Sequence, residues 1–438
     1  MNPQTQTTKE EVHEALNGID KRIYPEMSKQ QLLDVLDQTI KEDDVSKLIT
    51  FYCMLSAYTH DSQINVSFNA PSASGKTYIT KEVAQLFPDE DKIESHGASP
   101  TSFYHSEGEV DEERNAKVVS LERKILLFYE QPNPILQTKL RPVLSHDKWE
   151  ANHRITNKNK SGGNRTELII LQGFPATVFC SAGLRLDEQE ATRAILLSPE
   201  PSQAKIQAAI ELQNKRGTDE KAYIEWLESQ PERIALKERI VAIRDEHIEH
   251  IKLPDNGAIK ERFYSTFPKL RQRHARDFTH LQQLIKVIAL LNLWHRKQSD
   301  GSIMANQSDV DQAFELWEQL AQSQNLGIPP TAIHFYKTYI LTVFYDLVAA
   351  YPNTDPYSLG VSREQLSREY LYLEKTTLPE TYLRKEILPQ LEASGLITQQ
   401  VPEVGDRRTK LIYPKWFPEQ NNIGEHGGYA VNKEEQAM

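Results

Sequence analysis

Apolar positions along the chain change their spacing twice, and the changes outline the domains. In residues 1–48 they recur at helical intervals within a polar stretch, most clearly in SKQQLLDVLDQTI. A second helix, about Asp44 to Tyr58, leads into a β-rich run at Ile64–Asn69. Further strands are expected at Lys92–Ser95, Lys124–Tyr129, Glu167–Gln172 and Ala176–Ser181, with helical spacing between strands and the alternation ending near Leu197. Strands separated by helices predict a parallel sheet with helices on both faces. From Pro201 to about Gln324 the spacing is almost wholly helical. Asp277–Trp294 is the most apolar helix there, and Ser308–Gln322 follows with Ser308 as its N-cap.

GIPPTA, residues 327–332, has the composition of a linker. Beyond it the pattern predicts helices at Ala332–Tyr351, Ser362–Leu373 and Pro379–Ser394. A stop at Gly395 and strands at Leu396–Val401 and Lys410–Tyr413 follow. Three helices and a two-stranded wing outline a winged helix. The expected division is a helical segment (1–43), an α/β core (44–200) with an inserted hairpin at about 148–172, a helical lid (201–326), a winged-helix domain (332–418) and a disordered tail (419–438) rich in Gly, Asn and Glu.

The sharpest chemical signal is INVSFNAPSASGKTYITKEVAQLF. Ala70, Gly75, Lys76 and Thr77 match the phosphate-loop pattern, with Ala70 where the first glycine usually stands, and a strand and a helix flank it as the motif requires. Small residues let backbone N–H groups turn inward around phosphates, and the following helix directs its positive end at them. The expected nucleotide-binding stretch is Ala70, Pro71, Ser72, Ala73, Ser74, Gly75, Lys76, Thr77 and Tyr78. Lys76 would neutralise the β- and γ-phosphates of ATP, and Thr77 would offer its hydroxyl to Mg²⁺. The single methyl of Ala70 fits if its φ stays negative.

KILLFYEQPN is an apolar strand ending in a carboxylate, where phosphate-loop ATPases hold the residue that orients water and helps bind the metal. Glu130 fits as general base and metal ligand, although Tyr129 stands where an aspartate is usual. Ser181, at the end of PATVFCSAG, could reach the γ-phosphate from a strand lying between the two ATP-binding elements, or be an inert strand end. Arg193 follows in LDEQEATRAILL, either as an arginine pointing into a neighbouring subunit's nucleotide or paired with Glu188, Glu190 or a helix C-terminus. Arg276, before the apolar helix, is the candidate for coupling nucleotide to the lid in its own chain, with Arg271 and Arg273 as competitors.

In this order the pieces resemble the AAA+ ATPases, over roughly residues 45–325 plus the appended winged helix. They look closest to replicative helicases of the minichromosome maintenance type and their phage and mobile-element relatives. The resemblance implies a ring, a hexamer, and a hairpin inserted between Glu130 and Ser181 that points into the pore. The residues here read as a hairpin by themselves, since HRITNK and RTELIILQ are strand-like and NKNKSGGN is a turn. Lys158, Lys160 and Arg165 on its tip could hold the phosphates of single-stranded DNA, or form a solvated basic turn. In the winged helix, Arg384 and Lys385 on the third helix and Arg407, Arg408 and Lys410 on the wing are the candidate DNA contacts. Glu380, Glu386 and Glu392 dilute that charge, and Pro389 is a possible kink.

Composition narrows the field only a little. Hydrophobic residues are 39% and charged residues 26%, as in a soluble globular protein of about three domains, read as cytoplasmic, and no stretch is apolar enough for a membrane span. The net charge of −11 argues against coating nucleic acid over the whole surface, though not against local basic elements. Two cysteines, Cys53 and Cys180, make no disulfide framework, and His146 and His153 read as surface histidines. Three functions fit: an ATP-dependent DNA helicase or translocase, an ATP-switched initiator, loader or transposition regulator, and a signalling or defence ATPase whose winged helix binds protein.

Overall fold

The computed structural model describes residues 23–71, 73–95, 108–157, 165–181, 193–199, 202–254, 256–267, 270–299, 301–402, 410–415 and 417. The chain divides into two compact units, Met1–Phe335 and Tyr336–Met438. In the first unit the strands run β1 (Asn65–Asn69), β2 (Lys92–Ser95), β3 (Glu109–Asp111), β4 (Ala116–Ser120), β5 (Ile125–Phe128), β6 (Glu150–Asn157), β7 (Arg165–Gln172), β8 (Ala176–Ser181) and β9 (Ile195–Leu197). The order β2-β5-β8-β1-β9 makes a five-stranded sheet whose pairs are all parallel. β1 and β5 are buried at every position because both faces are covered, which is why they read as continuous apolar runs. Among the described residues its α-helices of eight or more residues are α1 (Lys29–Leu36), α2 (Asp44–Leu55), α3 (Lys76–Ala84), α4 (Pro134–Leu144), α5 (Gln203–Thr218), α6 (Glu220–Glu228), α7 (Pro231–Asp245), α8 (Asn256–Thr266), α9 (His274–Leu291) and α10 (Gln307–Leu326).

The expected hairpin is present and belongs to something larger. β6 and β7 pair antiparallel from Glu150↔Gln172 to Asn157↔Arg165, and β4 joins β7 in a second sheet ordered β3-β4-β7-β6. The hairpin β3–β4 was not legible, because its strands are three and five residues long, β4 being held by pairing with β7 and β3 by pairing with β4. At the exit of β7, Gly173 has φ +98°, and a Cβ there would lie 2.6 Å from the Glu122 backbone nitrogen. Only glycine passes that turn without displacing the β4–β5 connection.

The segment 201–326, expected as a lid, shares one apolar core with the sheet. Leu236, Leu284, Ile288, Phe314 and Trp317 join Val66, Phe68, Ile79, Val178 and Ile195 in a single cluster. α1 begins as the sequence suggests, with Ser28 and Gln31 in a capping box. α10 does not: its N-cap is Asn306, not Ser308, and Asn306 forms a capping box with Asp309. Asn and Ser cap equally well, so the choice fell to tertiary structure, in which Asp309 also grips the buried Arg296 at 2.7 and 2.8 Å. Arg296 reaches Glu26 as well, at 2.7 Å, tying the N-terminal segment to this core. Arg296→Ala leaves Asp309 as a buried unpaired charge and should cost about 3–5 kcal/mol in urea unfolding. A loss under about 1 kcal/mol would mean that the pair does not hold the segment.

A small sheet of β10 (His250–Lys252), β11 (Lys297–Ser299) and β12 (Ser302–Met304) completes the first unit's strands. The second unit contains helices at Leu341–Ala350, Arg363–Glu374, Glu380–Tyr382 and Leu388–Ala393, then β13 (Ile397–Gln400) paired antiparallel with β14 (Leu411–Pro414). Val361 adds a bridge to Ile412. Just before Pro389 the helix widens into a π turn, Leu383–Ile387. Proline has no N–H and crowds the carbonyl four residues back, Lys385, and the wider turn makes room for it. The tail 419–438 lies outside the described residues.

Candidate nucleotide site

The phosphate loop joins the C-terminal tip of β1 to α3. Ala70 is wholly buried and is not among the described residues with positive φ, so its methyl is accommodated as expected. Ala73 and Gly75 are left-handed, at φ 63° and 97°, and turn the loop back on itself. Gly75 caps α3 without any side-chain hydrogen bond, which leaves the first-turn N–H groups for a ligand. Lys76 donates to the carbonyls of Ala70 and Pro71, each at 2.6 Å, and to Ser74 Oγ at 3.4 Å. Its side chain is buried, and burial lowers its pKa. A buried ammonium resting on neutral carbonyls fits an anion, whose charge-assisted hydrogen bonds are about twice as strong. Thr77 is half-buried and Tyr78 exposed, its hydroxyl donating to the Thr39 carbonyl at 2.7 Å; Ser72 lies outside the described residues.

β8 lies between β1 and β5, with Asn69 opposite Ser181. The strand bearing Glu130 is therefore two positions from the loop strand, about 10 Å away. Glu130 is exposed just past the tip of β5. The side chain of Ser181 lies outside the described residues. Its neighbour Cys180 does face the loop helix, with Sγ 3.3 Å from Thr80 Oγ1, and burial pushes its thiol pKa up. Tyr129 is buried beneath the ring-facing Lys81 ammonium, 4.9 Å from the ring centroid. Burial, together with the charge and hydrogen bond of Glu94, raises its pKa. Among the described residues, the Thr77 hydroxyl and the Glu130 carboxylate would be the donors to Mg²⁺, an ion that keeps waters and substrate phosphates as its other ligands.

The two candidate arginines lie on different elements, one before β9 and one on α9. Arg193 precedes β9, its carbonyl accepting from Asn65 Nδ2 at 3.4 Å and its Nε donating to Ser145 Oγ at 2.7 Å. Asn65 begins β1, so Arg193 is at the base of the strand whose tip bears the loop, about 13 Å away along five residues. Glu188 and Glu190 lie outside the described residues. Arg276 is exposed in the first turn of α9. That helix has His274 near Asn325 (3.0 Å), while Gln324 donates to Leu196 of β9 and Gln283 to Gln63, which precedes β1. α9 packs on α2 and α10, and Gln283 in its middle reaches the segment that leads into β1. Arg273 is held by Asp277 at 3.0 Å and Arg271 reaches the Asn325 carbonyl at 3.5 Å.

Of the candidate nucleic-acid contacts, Lys158, Lys160, Arg407 and Arg408 lie outside the described residues. Arg165 pairs with Asn157 at the end of the hairpin ladder. Arg384 is paired with Glu380 at 3.0 Å, and Lys385 and Lys410 are exposed. His146 is not a surface histidine: it is left-handed (φ 55°) and packs on Phe174 at 4.5 Å. Burial, then the nearby His280, push its pKa down to about 4, with Asp61 and Asp147 opposing. Between pH 4 and 6.5 the unfolded chain binds this proton and the folded one does not, so stability rises with pH across that window by up to about 3 kcal/mol. His146→Phe should flatten that part of a melting-temperature profile; an unchanged slope would count against the buried neutral ring.

Sequence reading missed Lys205 and Asp43, which meet beside the loop. Neither carries a local signal, since one precedes α2 and the other opens α5.

Residues 17–230 match the family described as MTBMA_p00010 P-loop domain. The chain is also similar to the crystal structure of a candidate ATPase from Cytophaga hutchinsonii, at 12% identity and a TM-score of 0.39, over 75% of this chain and 96% of that one. No curated protein matches it. The chain carries a P-loop nucleotide-binding domain built on a parallel sheet flanked by helices, and no helix among the described residues is long and apolar enough to cross a membrane.

Proposed function

We propose that the chain is an ATP-hydrolysing motor on DNA, a helicase or translocase of phage or mobile-element replication, of the AAA+ type and working as a closed hexameric ring. Lys76 and Thr77 hold ATP and Mg²⁺, Glu130 takes the proton of the attacking water, and Arg193 reaches the site of the neighbouring subunit. Bound Mg²⁺ offsets the charge that builds on the phosphates. The observation that carries this reading is the position of Arg193. It stands at the opposite end of the sheet from its own Lys76, so it can serve a nucleotide only in another copy of the chain. The β6–β7 pair supports the DNA part, because the stretch of sequence that joins its strands, between Glu130 and Ser181, carries Lys158 and Lys160, and the second unit's helices and the β13–β14 pair support a winged helix.

Tyr129 favours a second reading. An aromatic ring turned toward Glu94, where a metal-binding aspartate is usual, suits a nucleotide-switched initiator or loader that turns over slowly. ATPase rate with and without single-stranded DNA, beside a strand-displacement assay, separates the two. DNA-stimulated hydrolysis with displacement supports the motor; duplex binding that depends on ATP, with no stimulation, supports the switch.

The hairpin gives a sharper test. Changing Lys158, Lys160 and Arg165 together to Ser should weaken single-stranded DNA binding most at low salt, and reduce the log–log salt slope by about 2. In the switch reading Arg407, Arg408 and Lys410 are the sensitive set instead. A hairpin variant that binds DNA like the parent chain would remove the motor reading.

A further inference from the structure

A second lysine stands on the phosphate loop, brought there from α5. Lys205 Nζ donates to the Ser74 carbonyl at 3.2 Å and lies 3.7 Å from where a Cβ on Gly75 would be. On its other side it is ion-paired with Asp43, whose side chain is 0% exposed while that of Lys205 is 14% exposed. Asp43 and the preceding Glu42 are both left-handed, at φ 59° and 56°, a conformation disfavoured for residues with a Cβ. The backbone is thus bent against its preference at the residue that meets Lys205. Lys76 reaches the same loop residue from inside, touching Ser74 Oγ. Two ammonium groups converge on Ser74, and the phosphate-loop pattern accounts for one.

Resting on the phosphate-loop reading above, we propose that Lys205 is a second cation for the nucleotide's phosphate chain, oriented by Asp43. An ammonium has three donors, so it can keep its carboxylate and still bind a phosphate oxygen. Asp43 is wholly buried, and losing its cation would leave an uncompensated charge. The contact that yields is therefore the neutral Ser74 carbonyl, exchanged for a phosphate oxygen in a stronger, charge-assisted hydrogen bond. Lys205 binds; Asp43 positions it.

The test is ADP affinity of the full chain by calorimetry, with melting temperature measured without nucleotide. Lys205→Ala should weaken ADP binding about tenfold to a hundredfold, and Lys205→Arg should recover part of it. Asp43→Asn should weaken ADP binding in the parent chain and have no further effect in the Lys205→Ala background, a coupling that a role in folding alone would not produce. If either single variant fails to fold, the double change Asp43→Asn with Lys205→Met removes both charges together and carries the same affinity test. Lys76→Ala is run in parallel. ADP binding lost in Lys76→Ala but intact in the Lys205 variants overturns this inference alone. ADP binding intact in both overturns the phosphate-loop assignment. A lowered melting temperature with unchanged ADP affinity assigns Lys205 to tethering α5, and also overturns the proposal.

Discussion

Lys76→Ala should reduce ATP and ADP affinity by a hundredfold or more while leaving the fold in place. The lysine is buried in the loop at the first turn of α3, whose N–H groups no side chain caps and which can therefore take phosphate. Hydrogen bonds to charged groups are worth about 1.5–3 kcal/mol each, and an ammonium reaching the β- and γ-phosphates makes more than one. The side chain donates to the Ala70 and Pro71 carbonyls and the Ser74 hydroxyl, all in the loop itself, so the apolar core is untouched. Titration with a fluorescent ADP analogue, beside thermal unfolding, reads both effects. Affinity equal to that of the parent chain would remove the phosphate-loop assignment, and with it the rest of the site.

Arg193→Ala and Glu130→Gln should each bind ATP and each fail to hydrolyse it, yet recover activity when mixed. The amide of Glu130→Gln keeps the shape at the tip of β5 but cannot accept the proton of the attacking water. Arg193 is at the base of the sheet, beside Asn65 and Ser145, and cannot contribute to its own loop. In a ring mixed from the two variants, some interfaces join an intact Glu130 to an intact Arg193, and those interfaces should turn over. The expected loss in each single variant is about a thousandfold or more, the range an arginine finger contributes. The measurement is ATPase rate against mixing ratio, with mixed assembly established by differential tagging. No recovery at any ratio would return Arg193 to a structural role at the base of the sheet, through its bond to Ser145.

The phosphate loop was legible because its parts are contiguous: a strand, a run of small residues and the first turn of a helix, each set by local preference. The β6–β7 pairing was legible for the same reason, since its two strands lie close together in the chain. β3 and β4 were not, because they are too short to show a period, and β4 needs the edge of β7 before β3 can pair with it.

The amino-acid sequence by itself determined where the loop lies, which strands lead to Lys76 and Glu130, and that helices follow from Pro201 onward. Tertiary structure alone decided three other matters. It chose Asn306 over Ser308 as the cap of α10, because Asp309 had to serve both the cap and the buried Arg296. It set Arg193 at the far end of the sheet from Lys76, because parallel pairing aligns the start of β9 with the start of β1. It brought Lys205 and Asp43 together at Ser74, residues with no shared local pattern, because α5 packs where the turn before α2 has already placed a buried carboxylate. Local preferences act over a few residues, whereas pairing register and charge burial are settled between segments that meet only in the folded chain.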